Sequence, residues 1–300
     1  MPGRRHSPLS LALALLMTVI AVPVFGAAAR IEYVGTYVWA LPDDDFGGFS
    51  GIEISDDGNG FHIISDRARI RWGQIERDNA GRIRGMRMSG RARLQDSKGN
   101  PLRPGRLGDS EGLAIGRNGQ IWVSFEGLDR IARYDDVDRP AHRIPSPPEW
   151  DRIRTNQGFE ALAITPGGDV LTLPEYAQGD PLEFPVWRYR DGAWDQPFAI
   201  PASEKWQATG ADIGPDGRLY LLERSFRGVL GFLSRVRRFQ LSAAGTSGEE
   251  ILLESSTLQY DNLEGISVWD DGQGIRMTMI SDDNFLPVQR TELVEYRVID

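Results

Sequence analysis

The sequence predicts an all-β fold, a β-propeller, and three observations carry that prediction. A short apolar strand, a turn containing Gly and a second apolar strand occur together five times. The copies recur at a period near 50 residues. The last copy lacks a fourth strand, and an N-terminal strand with no copy before it can supply one. Four short strands repeated at such a period are the signature of propeller blades.

In chain order, the first 29 residues read as an export signal. Arg4 and Arg5 give a positive start, Leu9 to Phe25 is almost entirely apolar, and Ala27–Ala29 offers a small-residue cleavage site. The mature chain is expected to be one domain, 30–300, in the periplasm or outside the cell, with no stable membrane insertion after cleavage. IEYVGTYVWAL (31–41) is the unpaired strand that closes the ring by joining the last blade.

The motif copies start at Ser50, Glu111, Glu160, Thr209 and Glu264, which are 61, 49, 49 and 55 residues apart. In DSEGLAIGRNGQIWVSFEG (109–127), apolar runs at Leu113–Ile115 and Ile121–Phe125 flank Asn118-Gly119, a hairpin signal. Third strands follow at RIARYD (130–135), PVWRYRDG (185–192) and SRVRRFQL (234–241), and fourth strands at WDQPFAI (194–200) and EEILLES (249–255). The final copy supplies Gly265–Trp269, Ile275–Ser281 and Glu292–Ile299. Five blades follow from this count. A degenerate sixth within the long first repeat, around 78–108, stays open.

Without Arg4 and Arg5 the chain has 32 basic against 43 acidic residues, a net charge near −11. That excess argues against nucleic acid as a partner. There is no Cys, so disulfides and a lipid-anchored Cys are excluded.

The acidic residues fall in a pattern. The first strand starts with Ser50, Glu111, Glu160, Thr209 or Glu264, and the second ends with Asp66, Glu126, Glu175, Glu223 or Asp282. Antiparallel pairing brings these two sets to one mouth of the channel. Carboxylates crowded together need a counter-charge, and a hard divalent cation such as Ca²⁺ supplies one. Glu111, Glu160 and Glu264 are the first ligand candidates, then Asp66, Asp282 and Asp283, with Asn156 and Asn262 as neutral donors. The bland alternative is a solvated acidic face paired with Arg67 and Arg224.

Other motifs fail. DDGNG (56–60) and DDGQG (270–274) lack the spacing of a calcium loop and sit at hairpin turns. Only His62 and His142 remain after the signal, and no G-x-S-x-G elbow occurs.

The strings FSGIEIS…FHIISDR, DSEGLAI, GFEALAI and NLEGISVWDDG…MISDDNF resemble the bacterial phytase-like domain family, labelled "esterase-like activity of phytase". The resemblance implies a β-propeller related to calcium-dependent phytases. It implies metal ligands at Glu111, Glu160, Glu264 and Asp282, and strand-end motifs at Asp66-Arg67 and Asp282-Asp283-Asn284. Glu160 or Glu264 could then act as general base, and Arg67, Arg224, Arg227 and Asn284 could bind substrate. The expected function is Ca²⁺-dependent hydrolysis of a small phosphate ester or other ester. Lys stands only at 98 and 205, outside every motif, which argues against phytate itself. The alternatives are a non-catalytic ligand- or partner-binding propeller, or an enzyme similar to sugar lactonases.

Overall fold

The computed structural model describes residues 30–152 and 158–299. The expected export signal, residues 1–29, and Asn156 lie outside the described residues. Five four-stranded antiparallel sheets form five blades. Blade 1 is Phe49–Ile54, Gly60–Ser65, Arg69–Arg77 and Ile83–Arg93. Blade 2 is Ser110–Ile115, Ile121–Phe125, Arg130–Tyr134 and the two-residue His142–Arg143. Blade 3 is Phe159–Ile164, Val170–Pro174, Glu183–Arg190 and Ala193–Pro201. Blade 4 is Gln207–Ile213, Leu219–Phe226, Phe232–Ser242 and Gly245–Glu254. Blade 5 is Asn262–Asp270, Ile275–Asp282, Glu292–Ile299 and, from the other end of the chain, Arg30–Val38.

The stretch proposed as a sixth blade is the outer strand of blade 1 and the loop after it. Its one further pairing is the isolated bridge Gln95–Pro101. Closure is as expected: Arg30 pairs with Ile299 and Val38 with Glu292. An ion pair spans the adjoining gap between blades 5 and 1. Glu295 of blade 5 accepts two hydrogen bonds from Arg77 of blade 1, at 2.8 and 2.9 Å, and one from Arg276 at 3.1 Å.

Alternation along the strands divides the core into five clusters, one in each gap between blades. Ile63 faces the gap to blade 5, for example, and its neighbour Ile64 the gap to blade 2. Five of the eight tryptophans, Trp39, Trp122, Trp150, Trp206 and Trp269, are buried. No helix among the described residues is long and apolar enough to cross a membrane.

A candidate metal centre at the acidic mouth

The inner strand of every blade carries a β-bulge at the same place. The register shifts between Phe49 and Gly51, Ser110 and Leu113, Phe159 and Ala161, Ala208 and Gly210, and Leu263 and Gly265. The motif residues Ser50, Glu111, Glu160, Thr209 and Glu264 all fall within these bulges. A bulge re-aims a side chain, which is how one sequence position per blade reaches the mouth. The small residue that follows has its own reason. A Cβ on Gly112 would stand 2.5 Å from the Glu160 carbonyl oxygen, and one on Gly210 2.6 Å from that of Glu264. The E-G pair therefore couples a projecting carboxylate to close approach of the next blade.

Ser50 and Thr209 tie blades together. The Ser50 hydroxyl donates to Ser110 O at 2.6 Å, and the Thr209 hydroxyl reaches Leu263 O at 3.5 Å. The three glutamates take part in a larger acidic cluster. One carboxylate oxygen each from Asp109, Glu111 and Glu126 lie within 4.8 Å of one another, and so do oxygens of Glu126, Glu160 and Glu175. Glu126 joins the two sets.

Burial and like charge raise the pKa values of several of these carboxyls. Burial pushes the Glu111 carboxyl well above the usual range, and Glu160, Glu264, Asp109 and Glu126 add to the push. Glu160 is also raised well above that range by burial, although Arg224 pulls it down. Asp282 is raised to about 9 by burial, with Glu264 and Asp66 adding to it. Asp66 is raised to about 7, chiefly by burial. Asp129 is raised to about 6 by burial, against the pull of Arg130.

The fourth blade departs from the expected pattern. Gln207 pairs with Arg224, so Arg224 and not Glu223 occupies the position held elsewhere by Asp66, Glu126, Glu175 and Asp282. Glu223 is one residue further in, fully buried, where it accepts hydrogen bonds from Arg235 at 2.7 Å and Arg237 at 2.8 Å. Arg224 donates to Glu175 at 2.9 Å, pairs with Glu264 and lies 3.6 Å from Glu160. It thus holds the carboxylates of blades 3 and 5 together. Asn262 supports the arrangement, donating from Nδ2 to Glu264 at 2.6 Å.

A family model described as phytase-like, esterase-like activity of phytase, matches residues 44–285. The chain belongs to the phytase-like family. No curated protein matches its sequence. Among solved structures the phytase-like chain is similar to the PQQ-bound aldose sugar dehydrogenase of Streptomyces coelicolor (TM-score 0.51, 12% identity, 91% of this chain and 99% of that one). It is also similar to the α-L-arabinofuranosidase of Podospora anserina (0.50, 10%, 89% and 96%). A third likeness is to the endo-arabinase of Bacteroides thetaiotaomicron (0.50, 13%, 85% and 94%). At such identities the likeness is one of propeller fold.

The donor set of this phytase-like mouth suits a hard cation. It consists of carboxylate oxygens, which match Ca²⁺ rather than a zinc site of His and Cys. Buried acceptors at its edge lack partners: Asp66 Oδ1 and Asp129 Oδ1 make no hydrogen bond. Asp283 is engaged differently. Its Oδ1 accepts from Gly48 N at 3.0 Å and Phe285 N at 3.1 Å, and its Oδ2 from the Thr291 hydroxyl at 3.1 Å. Asp282 accepts from Asn284 N at 2.7 Å, and Asn284 itself is exposed. The Arg67 guanidinium lies 3.2 Å from the centre of the Phe285 ring. Arg227 is exposed in the loop after the second strand of blade 4.

Sequence reasoning passed over Asp109 and Asp129. Asp109 was legible, because it stands two residues before Glu111 at the open end of the predicted hairpin, where its carbonyl oxygen accepts from Glu126 N at 2.8 Å. The Arg224 position was also legible. Gly119 to Glu126 and Gly168 to Glu175 each span seven residues, and seven from Gly217 is Arg224.

The opposite end of the channel holds a cavity of about 300 Å³ lined in part by Glu53, Asp212 and Ser267. These residues join blades. Glu53 accepts from Ile115 N at 3.1 Å, Asp212 from Val268 N at 2.6 Å and Ser267 from Ile54 N at 2.9 Å.

Proposed function

We propose that this phytase-like propeller is a secreted hydrolase of esters or phosphate esters that works with Ca²⁺ or a similar divalent cation at the acidic mouth. The observation that carries the reading is the pair of carboxylate triads sharing Glu126, with Arg224 compensating only the Glu160–Glu175–Glu264 side. Asp109, Glu111 and Glu126 would hold the cation, with Asp66 and Asp282 around them. When bound, the cation would polarise the scissile group and supply counter-charge.

The chain's own residues account for the rest. Glu264 is tied to both Arg224 and Asn262, which makes it a weak base. Glu160 is held more loosely by Arg224 and is the better general base. It takes a proton from water as the water oxygen bonds to the acyl carbon or phosphorus. The bond to the alkoxy oxygen breaks, and that proton goes to the departing alcohol. Arg224 keeps the base in place. Arg67, Arg227 and Asn284 stand around the mouth as substrate contacts.

The test is turnover of p-nitrophenyl acetate and p-nitrophenyl phosphate by chelator-stripped protein, with and without Ca²⁺, beside the Glu160→Gln variant. Ca²⁺-dependent turnover of either compound, lowered at least tenfold in the variant, supports the reading. A cation that binds without turnover of any ester favours the non-catalytic ligand-binding alternative.

A further inference from the structure

The loops that leave the acidic mouth turn apolar within one or two residues. Glu126 is followed by Gly127 and Leu128, Glu175 by Tyr176, and Arg224 by Ser225 and Phe226. In blade 4 the loop continues through Val229, which is 99% exposed, and Leu230. A Cβ on Gly231 would lie 3.4 Å from Leu258, so the loop that leads into blade 5 adds to the same patch. Phe226 is 64% and Leu258 69% exposed. A strand advances about 3.3 Å per residue, which places Phe226 roughly 7 Å along the chain from Arg224. The patch therefore begins on the strand end that carries Arg224 at the mouth, and patches of this kind mark binding surfaces.

The arginines nearest the carboxylates are already engaged. Arg224 pairs with three glutamates, Arg67 lies on Phe285, and Arg130 lies on Phe125 while donating to Leu128 O at 3.0 Å. Arg67 and the exposed Arg227 are the cations left for a substrate, enough for one anionic group but few for a polyanion. A molecule with one polar ester group and an apolar body meets matching chemistry on both parts.

We propose that the substrate carries an apolar alkyl or acyl arm, which lies on the Phe226–Leu230 loop and Leu258 while its single ester or phosphate group sits over the carboxylates. This rests on the hydrolase reading above and deepens it to a substrate class, amphiphilic monoesters rather than polyphosphates.

Binding of two non-hydrolysable probes, methylphosphonate and octylphosphonate, tests it by calorimetry with Ca²⁺ present. Each buried CH₂ is worth about fourfold in affinity. The octyl probe should bind at least tenfold more tightly than the methyl probe. A V229S/L230S double variant should lose most of that difference while keeping its melting temperature, because both side chains are exposed. Equal affinity for the two probes, a preference unchanged in the variant, or no binding of either overturns the proposal. An octyl preference that the variant removes, found in protein that hydrolyses no ester, upholds the rim and overturns the hydrolase reading alone. Ca²⁺-dependent ester turnover with no octyl preference does the reverse.

Discussion

Arg224 donates to Glu175 across the gap between blades 4 and 3, at 2.9 Å, from the position that carries a carboxylate in each of the other four blades. The ring of acids at the mouth thus includes one built-in cation. Removing one partner of a buried pair typically costs about 3–5 kcal/mol, because the other charge is left uncompensated. Arg224 keeps some solvent contact, so Arg224→Ala should lose stability toward the lower end of that range. Excess Ca²⁺ should restore part of the loss, because Glu126 brings the cation beside the Glu160 and Glu175 that the variant leaves uncompensated. Denaturant unfolding of both proteins, with and without Ca²⁺, checks this, and an unchanged midpoint in the variant would show that the pairing contributes nothing.

The raised pKa values give a pH dependence whose sign can be worked out. The folded mouth binds protons more tightly than the unfolded chain, since Asp129, Asp66 and Asp282 lie near 6, 7 and 9. Between about pH 4 and pH 9 the native state therefore carries more protons than the unfolded state, and stability falls as pH rises. Cation-free protein should melt at a lower temperature at pH 8 than at pH 5.5. Saturating Ca²⁺ should flatten or reverse the trend, since metal binding displaces those protons. Melting curves at the two pH values suffice, and a cation-free protein more stable at pH 8 would contradict the picture.

Closure of the ring rests on Arg30–Val38 and on Glu295 with its two arginines. Glu295→Gln keeps the shape but leaves Arg77 and Arg276 short of negative charge, so it should destabilise by roughly 2–4 kcal/mol. Deleting 30–38 should cost more, because it also exposes the edge of blade 5. Thermal melts of both variants check the ordering, and a truncated protein with a full melting temperature would remove the closing strand from the account.

The fold was legible because the repeat is written in local signals. The turn glycines, the alternating strands and the unpaired strand at 31–41 each point to the same ring. The site was partly legible for the same reason, since Glu111, Glu160 and Glu264 occupy one repeat position. Its detail was not. The partners of Arg224 lie in blades 3 and 5, and no spacing within blade 4 names them. The roles of Asp283 and Asp129 depend on loops whose paths no periodicity fixes. The division between a side compensated by Arg224 and a side left acidic is a property of three blades packed together, and no single repeat contains it.

The central claim is a divalent cation held by Asp109, Glu111 and Glu126, and the melting temperature under Ca²⁺ titration tests it most directly. Chelator-stripped wild-type protein should gain stability with added Ca²⁺, about 2.7 kcal/mol at a hundredfold excess over the dissociation constant. Glu126→Gln, which keeps the shape and removes the carboxylate common to both triads, should require at least tenfold more Ca²⁺ for the same shift. A wild-type melting temperature that ignores Ca²⁺, Mg²⁺ and Mn²⁺ alike, together with a Glu126→Gln variant more stable than wild type, would contradict the claim and leave the mouth a solvated acidic surface.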